Sequence, residues 1–408
     1  MFESLELMPL EELEARWDTC RRILASAEPA AGGLMAFSRQ SIYYLTGVLA
    51  QGVFWLPLAG RPVLLLRRGI ERARLESPME DVSLFRSYGE VPGLLARFES
   101  PLAGTVAVEK SGLSWGLGEL FTAKLPGVAF KNADKVLAKT QAVKSDWELT
   151  KMRLSGARHH KALFELMPGR IAPGMTEREL SLAAWDVLFS LGHQGLMRMS
   201  AYGEEVFMGH ISAGDSGNYP SVYNGPLGLR GEHPAIPFMG YAGKVWKTGE
   251  VLAMDIGFTI EGYCTDKTQV YFAGQASRIP DAVRAAHDFC IEVQGYVADN
   301  LRPGNIPSQV YAHCVDWARR AGFAEGFMAL GANKVPFLGH GIGLAIDGHP
   351  VIAKGFDEPF ETGMVMAVEP KMGIPGVGMV GVENTFEVTD AGGVCLTGDA
   401  YDIVCVGE

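Results

Sequence analysis

None of the six cysteines (Cys20, Cys264, Cys290, Cys314, Cys395 and Cys405) forms a Cys-x-x-Cys pair. That spacing would mark a zinc-thiolate knuckle or a dithiol redox centre. Their scatter also offers no disulfide framework, so a reduced, cytoplasmic setting is the expectation. No apolar run is long enough to span a bilayer, and the acidic start of the chain lacks the basic and apolar regions of a signal peptide. Positive charge is scarce: 36 Lys and Arg stand against 47 Asp and Glu, a formal net charge of -11. Without a basic footprint, neither nucleic acid nor an anionic membrane is an expected partner. The Gly-rich stretch Leu338-Gly-His-Gly-Ile-Gly-Leu344 has no Lys-Ser/Thr after it, which excludes a phosphate loop.

What remains is a chain of 408 residues, 48% hydrophobic and 20% charged, with room for two substantial cores. Residues from Glu11 to Ser26 suit a helix. Short apolar runs follow at Ser41 to Val48, Val53 to Leu58, Pro62 to Leu66 and Thr105 to Glu109, punctuated by turn residues, with helical stretches near Ile70 to Leu75 and Trp115 to Lys124. This first domain reads as α/β and ends at residue 142. The capping box Ser145-Asp-Trp-Glu148 then opens a long amphipathic stretch that closes at Pro168-Gly169, and a second box, Thr176-Glu-Arg-Glu179, opens a helix to about Leu191. Strands and loops fill residues 195 to 275. Helices are expected from Pro280, placed at N1, to Leu301 and from Pro307 to Ala321, before Gly-punctuated strands from Val335 onward. Residues 143–408 are therefore α+β, with mainly antiparallel pairing.

The chemistry concentrates in five residues. Asp255 and Asp266 lie eleven positions apart on the arms of a hairpin whose turn is bracketed by Gly257 and Gly262. Each has apolar neighbours, and a carboxylate among buried strand residues is costly unless something neutralises it. A turn cap, or pairing with Lys267, is the plain alternative. His340 sits between glycines that let the backbone approach a ligand closely. Glu369 ends the apolar strand Met364-Val-Met-Ala-Val-Glu-Pro370, and Glu383 lies within Met379-Val-Gly-Val-Glu-Asn-Thr-Phe-Glu-Val388, where Glu387 is less telling. Four carboxylates and one imidazole balance two divalent cations, and oxygen-rich ligation with one nitrogen suits Mn, Co, Fe or Zn. Two such ions can activate a water and polarise a carbonyl.

The order Asp-Asp-His-Glu-Glu, with D-I-G-x-x-x-x-G-Y-x-x-D-x-T, G-H-G-I-G-L and the V-E-P and V-E-N strands, resembles the pita-bread metallopeptidases: prolidase, aminopeptidase P, methionine aminopeptidase and creatinase. Tyr43-Tyr-Leu-Thr-Gly47, Glu71-Arg-Ala73 and Val143-Lys-Ser-Asp-Trp-Glu148 resemble the creatinase/prolidase-type N-terminal domain and its junction. The resemblance implies a C-terminal pita-bread domain of mostly antiparallel sheet with covering helices, behind a smaller α/β domain. It implies two divalent ions, with Asp255 on one, Asp266 and Glu383 on both, and His340 and Glu369 completing the other. Glu369 would also shuttle the proton, Thr268 would support the ligands, and the assembly would be a homodimer.

Two departures stand out. Proline-specific members carry a histidine seven residues after the ligand histidine, where this chain has Asp347, and an arginine two before the final glutamate, where it has Gly381. A further expected histidine falls near Pro237 or Phe238. His233, His349 and His210 are the candidate replacements, with His233 and His349 taken as catalytic. The loop Asn224-Gly-Pro-Leu-Gly228 is expected to wall the pocket or simply turn the chain. The resulting expectation is a dinuclear hydrolase of Xaa-Pro dipeptides or of the first residue of Xaa-Pro peptides. The alternatives are a non-peptidase amide or amidine hydrolase on the same scaffold, and a catalytically silent binding module.

Overall fold

The computed structural model describes residues 7–237 and 240–407. The chain divides into two compact units, Met1–Gln141 with Ala201–Gly203, and Ala142–Ser200 with Glu204–Glu408. In the first, a six-stranded mixed sheet runs in the spatial order Val82–Leu84, Val63–Leu66, Gly52–Pro57, Gly33–Ala36, Thr105–Val108, Ala129–Asn132. Met35, Val53, Trp55, Leu65, Val106 and Phe121 pack its core. The run from Ser41 to Val48 is mostly helical, in Arg39–Thr46, because the Ser38 hydroxyl caps Ser41 N and the buried Glu109 carboxylate accepts from Phe37 N, Ser38 N and the Ser41 hydroxyl.

The second unit starts with Asp146–His160, closed by the Ser145/Glu148 capping box, and with Glu177–Ser190, closed by the Thr176/Glu179 box. A four-stranded sheet follows in the order Val404–Val406, Tyr263–Ala273, Val251–Ile260, Gly209–Ala213. Helices Asp281–Asn300 and Pro307–Arg320 precede a five-stranded sheet ordered Gly348–Ala353, Phe337–Gly341, Val365–Val368, Asn384–Thr389, Gly392–Cys395. Pro280 is the residue before its helix rather than its first residue, while Pro307 does occupy the first turn. A bridge between Thr268 and Glu383 joins the two sheets, with Thr268 N donating to Glu383 O at 3.1 Å. No helix among the described residues is long and apolar enough to cross a membrane.

Candidate metal centre

The long hairpin sets the geometry. Asp255 pairs with Thr268 and Gly257 with Asp266, so Asp255, Gly257, Asp266 and Thr268 share one face of the sheet. The opposite face carries Met254, Ile256 and Phe258 into an apolar core. The Lys267 side chain also points away and its ammonium donates to Asn384 Oδ1 at 2.7 Å, so only its backbone N–H reaches an aspartate, donating to Asp266 Oδ1 at 3.1 Å. The Thr268–Glu383 bridge brings Glu383 over the hairpin. Glu369 follows the strand Val365–Val368, whose Ala367 is the register partner of His340. The register shifts around His340, and such a bulge re-aims a side chain. His340 Nδ1 lies 3.2 Å from Gly341 O. A carbonyl only accepts, so Nδ1 carries the proton and Nε2 keeps its lone pair for a ligand.

All five residues meet. His340 Nε2 is 3.4 Å from Glu369 Oε1 and 4.0 Å from Glu383 Oε1. One ligand atom from each of Asp266, His340 and Glu383 lies within 4.8 Å of the others, a spacing that can hold a metal ion. Thr268 Oγ1 donates to Asp255 Oδ1 at 2.6 Å, and Thr385 Oγ1 bonds the backbone on both sides of Asp266. Glu387 stands apart in an ion pair with Arg153 at 2.8 Å.

A sixth polar group went unread in the sequence. The ammonium of Lys371, itself fully buried, lies 2.5 Å from Glu383 Oε2, 3.1 Å from Asp255 Oδ2 and 3.2 Å from Glu369 Oε2. Its signal was present as a lysine two residues after Glu369 and leading into Met372-Gly-Ile374, since alternate strand residues share a face. The remaining charge is still deficient in cations. Burial lifts the carboxyl groups of Asp266 and Glu383 well above the ordinary range, helped by Asp255 at the first and by Asp266 and Glu369 at the second. Burial is also the largest influence on Asp255 and pushes it up, but the Lys371 ammonium together with hydrogen bonds from Glu383 and Thr268 brings that carboxyl down to about 2. Ionised together, the four carboxyl groups would exceed the one ammonium by three charges, so a divalent cation fits this donor set.

A cavity of about 210 Å³ opens over these groups. Asp255, Asp266, His340, Glu369 and Glu383 line it together with His210, Asp347 and the apolar Tyr223, Leu227, Phe337 and Ile346. Asn224, Gly225 and Leu227 are also in the lining, so the glycine-proline loop does wall the site. Two expectations need correction. His233 is exposed, accepts from Ala235 N at 3.1 Å and does not line the cavity, because its loop closes on itself through a bridge to Ile236. His349 does not line it either, and its ring packs at 5.9 Å from Phe356. Pro237 is described but absent from the lining, and Phe238 falls outside the described residues. His210 is the histidine that arrives, as the register partner of Asp255, with Nδ1 3.1 Å from Leu227 O and a buried, unpartnered Nε2. Burial holds it below the ordinary imidazole value.

Metallopeptidase family M24 matches residues 150–390, more than half of the chain. The chain belongs to this family. The creatinase/prolidase N-terminal domain matches residues 16–143, so this M24 metallopeptidase combines that domain with a C-terminal pita-bread domain. Among curated proteins it is 27% identical to the probable dipeptidase PepE of Mycobacterium tuberculosis over 397 residues, 94% of each chain. It is 23% identical to the Xaa-Pro dipeptidase of Pyrococcus furiosus over 359 residues, covering 88% of this chain and 90% of that one. Among solved structures, the Xaa-Pro dipeptidase from Bacillus anthracis superposes with a TM-score of 0.79 at 20% identity, over 96% of this chain and 100% of that one. The dipeptidase PepE from Mycobacterium ulcerans gives 0.78 at 23%, over 99% and 100%.

Proposed function

We propose that this M24 metallopeptidase is a metal-dependent exopeptidase that hydrolyses the bond after the first residue of small peptides, with Xaa-Pro dipeptides and Xaa-Pro peptides as first substrates. The observation that carries the reading is the convergence of Asp266, His340, Glu369 and Glu383 beneath a small cavity, with more negative charge than Lys371 neutralises. Those four residues would hold a divalent ion, Mn, Co, Fe or Zn by donor type. When bound, such an ion supplies Lewis acidity at a carbonyl and an acidified water.

The protein's own groups do the rest. Glu369 turns Oε1 toward His340 Nε2 and Oε2 toward Lys371, so it is positioned to take a proton from the attacking water and deliver it to the leaving nitrogen. His210 lines the cavity, and its buried Nε2 is an acceptor with no partner in the protein. Asp347 lines the same space, held by Ser200 N at 2.6 Å and the Ser200 hydroxyl at 3.1 Å. An acceptor and a carboxylate suit a protonated substrate amino group. The cavity is smaller than the roughly 300–1,000 Å³ of sites for drug-sized ligands, which favours short peptides. The names of the relatives support the Xaa-Pro assignment, and homodimer assembly belongs to the same reading.

One observation favours a second reading: no arginine or lysine lines the cavity among the described residues, so a substrate carboxylate would find no ion-pair partner there. A non-peptide amide or amidine substrate would not need one. A turnover screen of Xaa-Pro dipeptides, longer Xaa-Pro peptides and non-peptide amides, with Mn or Co, decides between them. Loss of turnover in Asp266→Ala and Glu383→Ala is expected. Full activity in either variant overturns the proposal.

A further inference from the structure

We infer that the ammonium of Lys371 takes the place of a second cation, so that the centre holds one divalent ion, ligated by Asp266, His340, Glu369 and Glu383, while Asp255 serves Lys371 instead of a metal. This rests on the metal-dependent reading above and departs from the two-ion centre that the family resemblance implies.

The carboxylate oxygens divide into two sets. Asp255 Oδ2, Glu369 Oε2 and Glu383 Oε2 surround Lys371 Nζ at 3.1, 3.2 and 2.5 Å. Asp255 Oδ1 is taken by the Thr268 hydroxyl at 2.6 Å. Both oxygens of Asp255 thus have protein donors, and its charge is matched without a metal. The other set, Glu369 Oε1 and Glu383 Oε1, faces His340 Nε2 at 3.4 and 4.0 Å, next to Asp266. That set is the place for an ion.

Charge agrees with this division. Four carboxylates, one ammonium and one divalent ion leave a single negative charge. A second divalent ion would make the site net positive and would sit against an ammonium already in contact with the same oxygens. Lys371 has little alternative. It is fully buried, its carbonyl accepts from Met328 N at 2.9 Å, and its register partner is Gly381. A Cβ at position 381 would stand 2.7 Å from Lys371 Cα, 2.4 Å from Pro370 O and 3.2 Å from Cys290 Sγ, in a backbone with φ of 122°. The two-stranded antiparallel ribbon of Lys371–Ile374 and Gly378–Gly381 therefore excludes a side chain at Gly381, and its cation comes from the facing strand.

The test is ion counting on the full chain, stripped with chelator and titrated with Mn(II) by calorimetry, with elemental analysis and electron paramagnetic resonance of the loaded protein. The expected result is one Mn per chain with an uncoupled six-line spectrum. Asp255→Asn keeps one Mn, with Kd raised by no more than about 100-fold, as for a residue outside the ligand set. Asp266→Asn keeps none. Lys371→Met gains a second Mn. Two Mn per wild-type chain with a coupled spectrum, or loss of an ion in Asp255→Asn, overturns the inference and leaves the metal-dependent reading standing. No Mn bound by the wild type overturns both. If Lys371→Met does not fold, the wild-type count and Asp255→Asn still decide.

Discussion

The hydroxyl of Thr268 stands 2.6 Å from Asp255 Oδ1 and 3.3 Å from Glu383 Oε2, bridging a carboxylate of the four-stranded sheet and one at the start of a strand of the five-stranded sheet. It can donate only one proton, and the shorter contact takes it. Thr268→Val keeps the shape and leaves Asp255 Oδ1 without its donor, at a cost of about 1–3 kcal/mol for a buried acceptor. The expected outcome is a fall in kcat/KM of about 10- to 100-fold, as for groups that orient ligands, with near wild-type kinetics restored in Thr268→Ser. Equal kinetics in all three proteins would show that the bridge does not organise the site.

His210 gives a second prediction. His210 lines the cavity, and its buried Nε2 meets no protein donor in the structure. If it accepts from the substrate amino group, His210→Phe raises KM about tenfold, matching the roughly 1.5 kcal/mol of one hydrogen bond, with a smaller change in kcat. Ion content stays as in the wild type. His233→Ala, changing an exposed loop residue, serves as the control and leaves KM unaltered. Steady-state kinetics on one Xaa-Pro substrate separates the two.

Much of the candidate site could be read before the fold was known, because the polar residues that converge there break local patterns. Asp255 and Asp266 interrupt apolar strands, and Glu369 ends one. Such breaks are visible wherever period-two alternation is otherwise kept. The helix starts were legible for the same local reason, since each capping box closes within four residues. Lys371 was passed over because a lysine beginning a short strand looks solvated, and only the packing of the Lys371–Ile374 ribbon shows that it is not. The choice among His210, His233 and His349 depended on the register of Gly209–Ala213 against Val251–Ile260. Those strands are far apart in sequence, and a one-residue slip would turn His210 to the other face.

Glu387 tests the boundary of the site. It lies four residues beyond Glu383, and both its oxygens engage the Arg153 guanidinium at 2.8 to 3.1 Å. Arg153 is half exposed, so the pair contributes at most about 1 kcal/mol. Glu387→Gln should therefore lower Tm by a few degrees or less and leave ion content and kcat unchanged, whereas Glu383→Gln should lose the ion. Loss of the ion in Glu387→Gln would place that carboxylate within the ligand set.

Acid should destabilise the protein through buried neutral histidines. His193 Nδ1 accepts from Thr259 N at 3.2 Å, so that nitrogen must stay unprotonated, and burial lowers the group from 6.5 to about 4. The folded value is the lower one, so the unfolded chain binds the extra proton between pH 6.5 and 4. The penalty is absent above pH 6.5 and grows as pH falls through that window. Between about pH 7.5 and about pH 4.5 this one group costs about 2–3 kcal/mol, at roughly 1.4 kcal/mol for each pH unit over which the two states differ by a proton. His193→Gln keeps an acceptor within reach of Thr259 N and has no titrating ring. Urea unfolding of the two proteins at both pH values should show a smaller acid loss in the variant by about that amount. Equal losses would mean that the His193 proton is not what the acid form must accommodate.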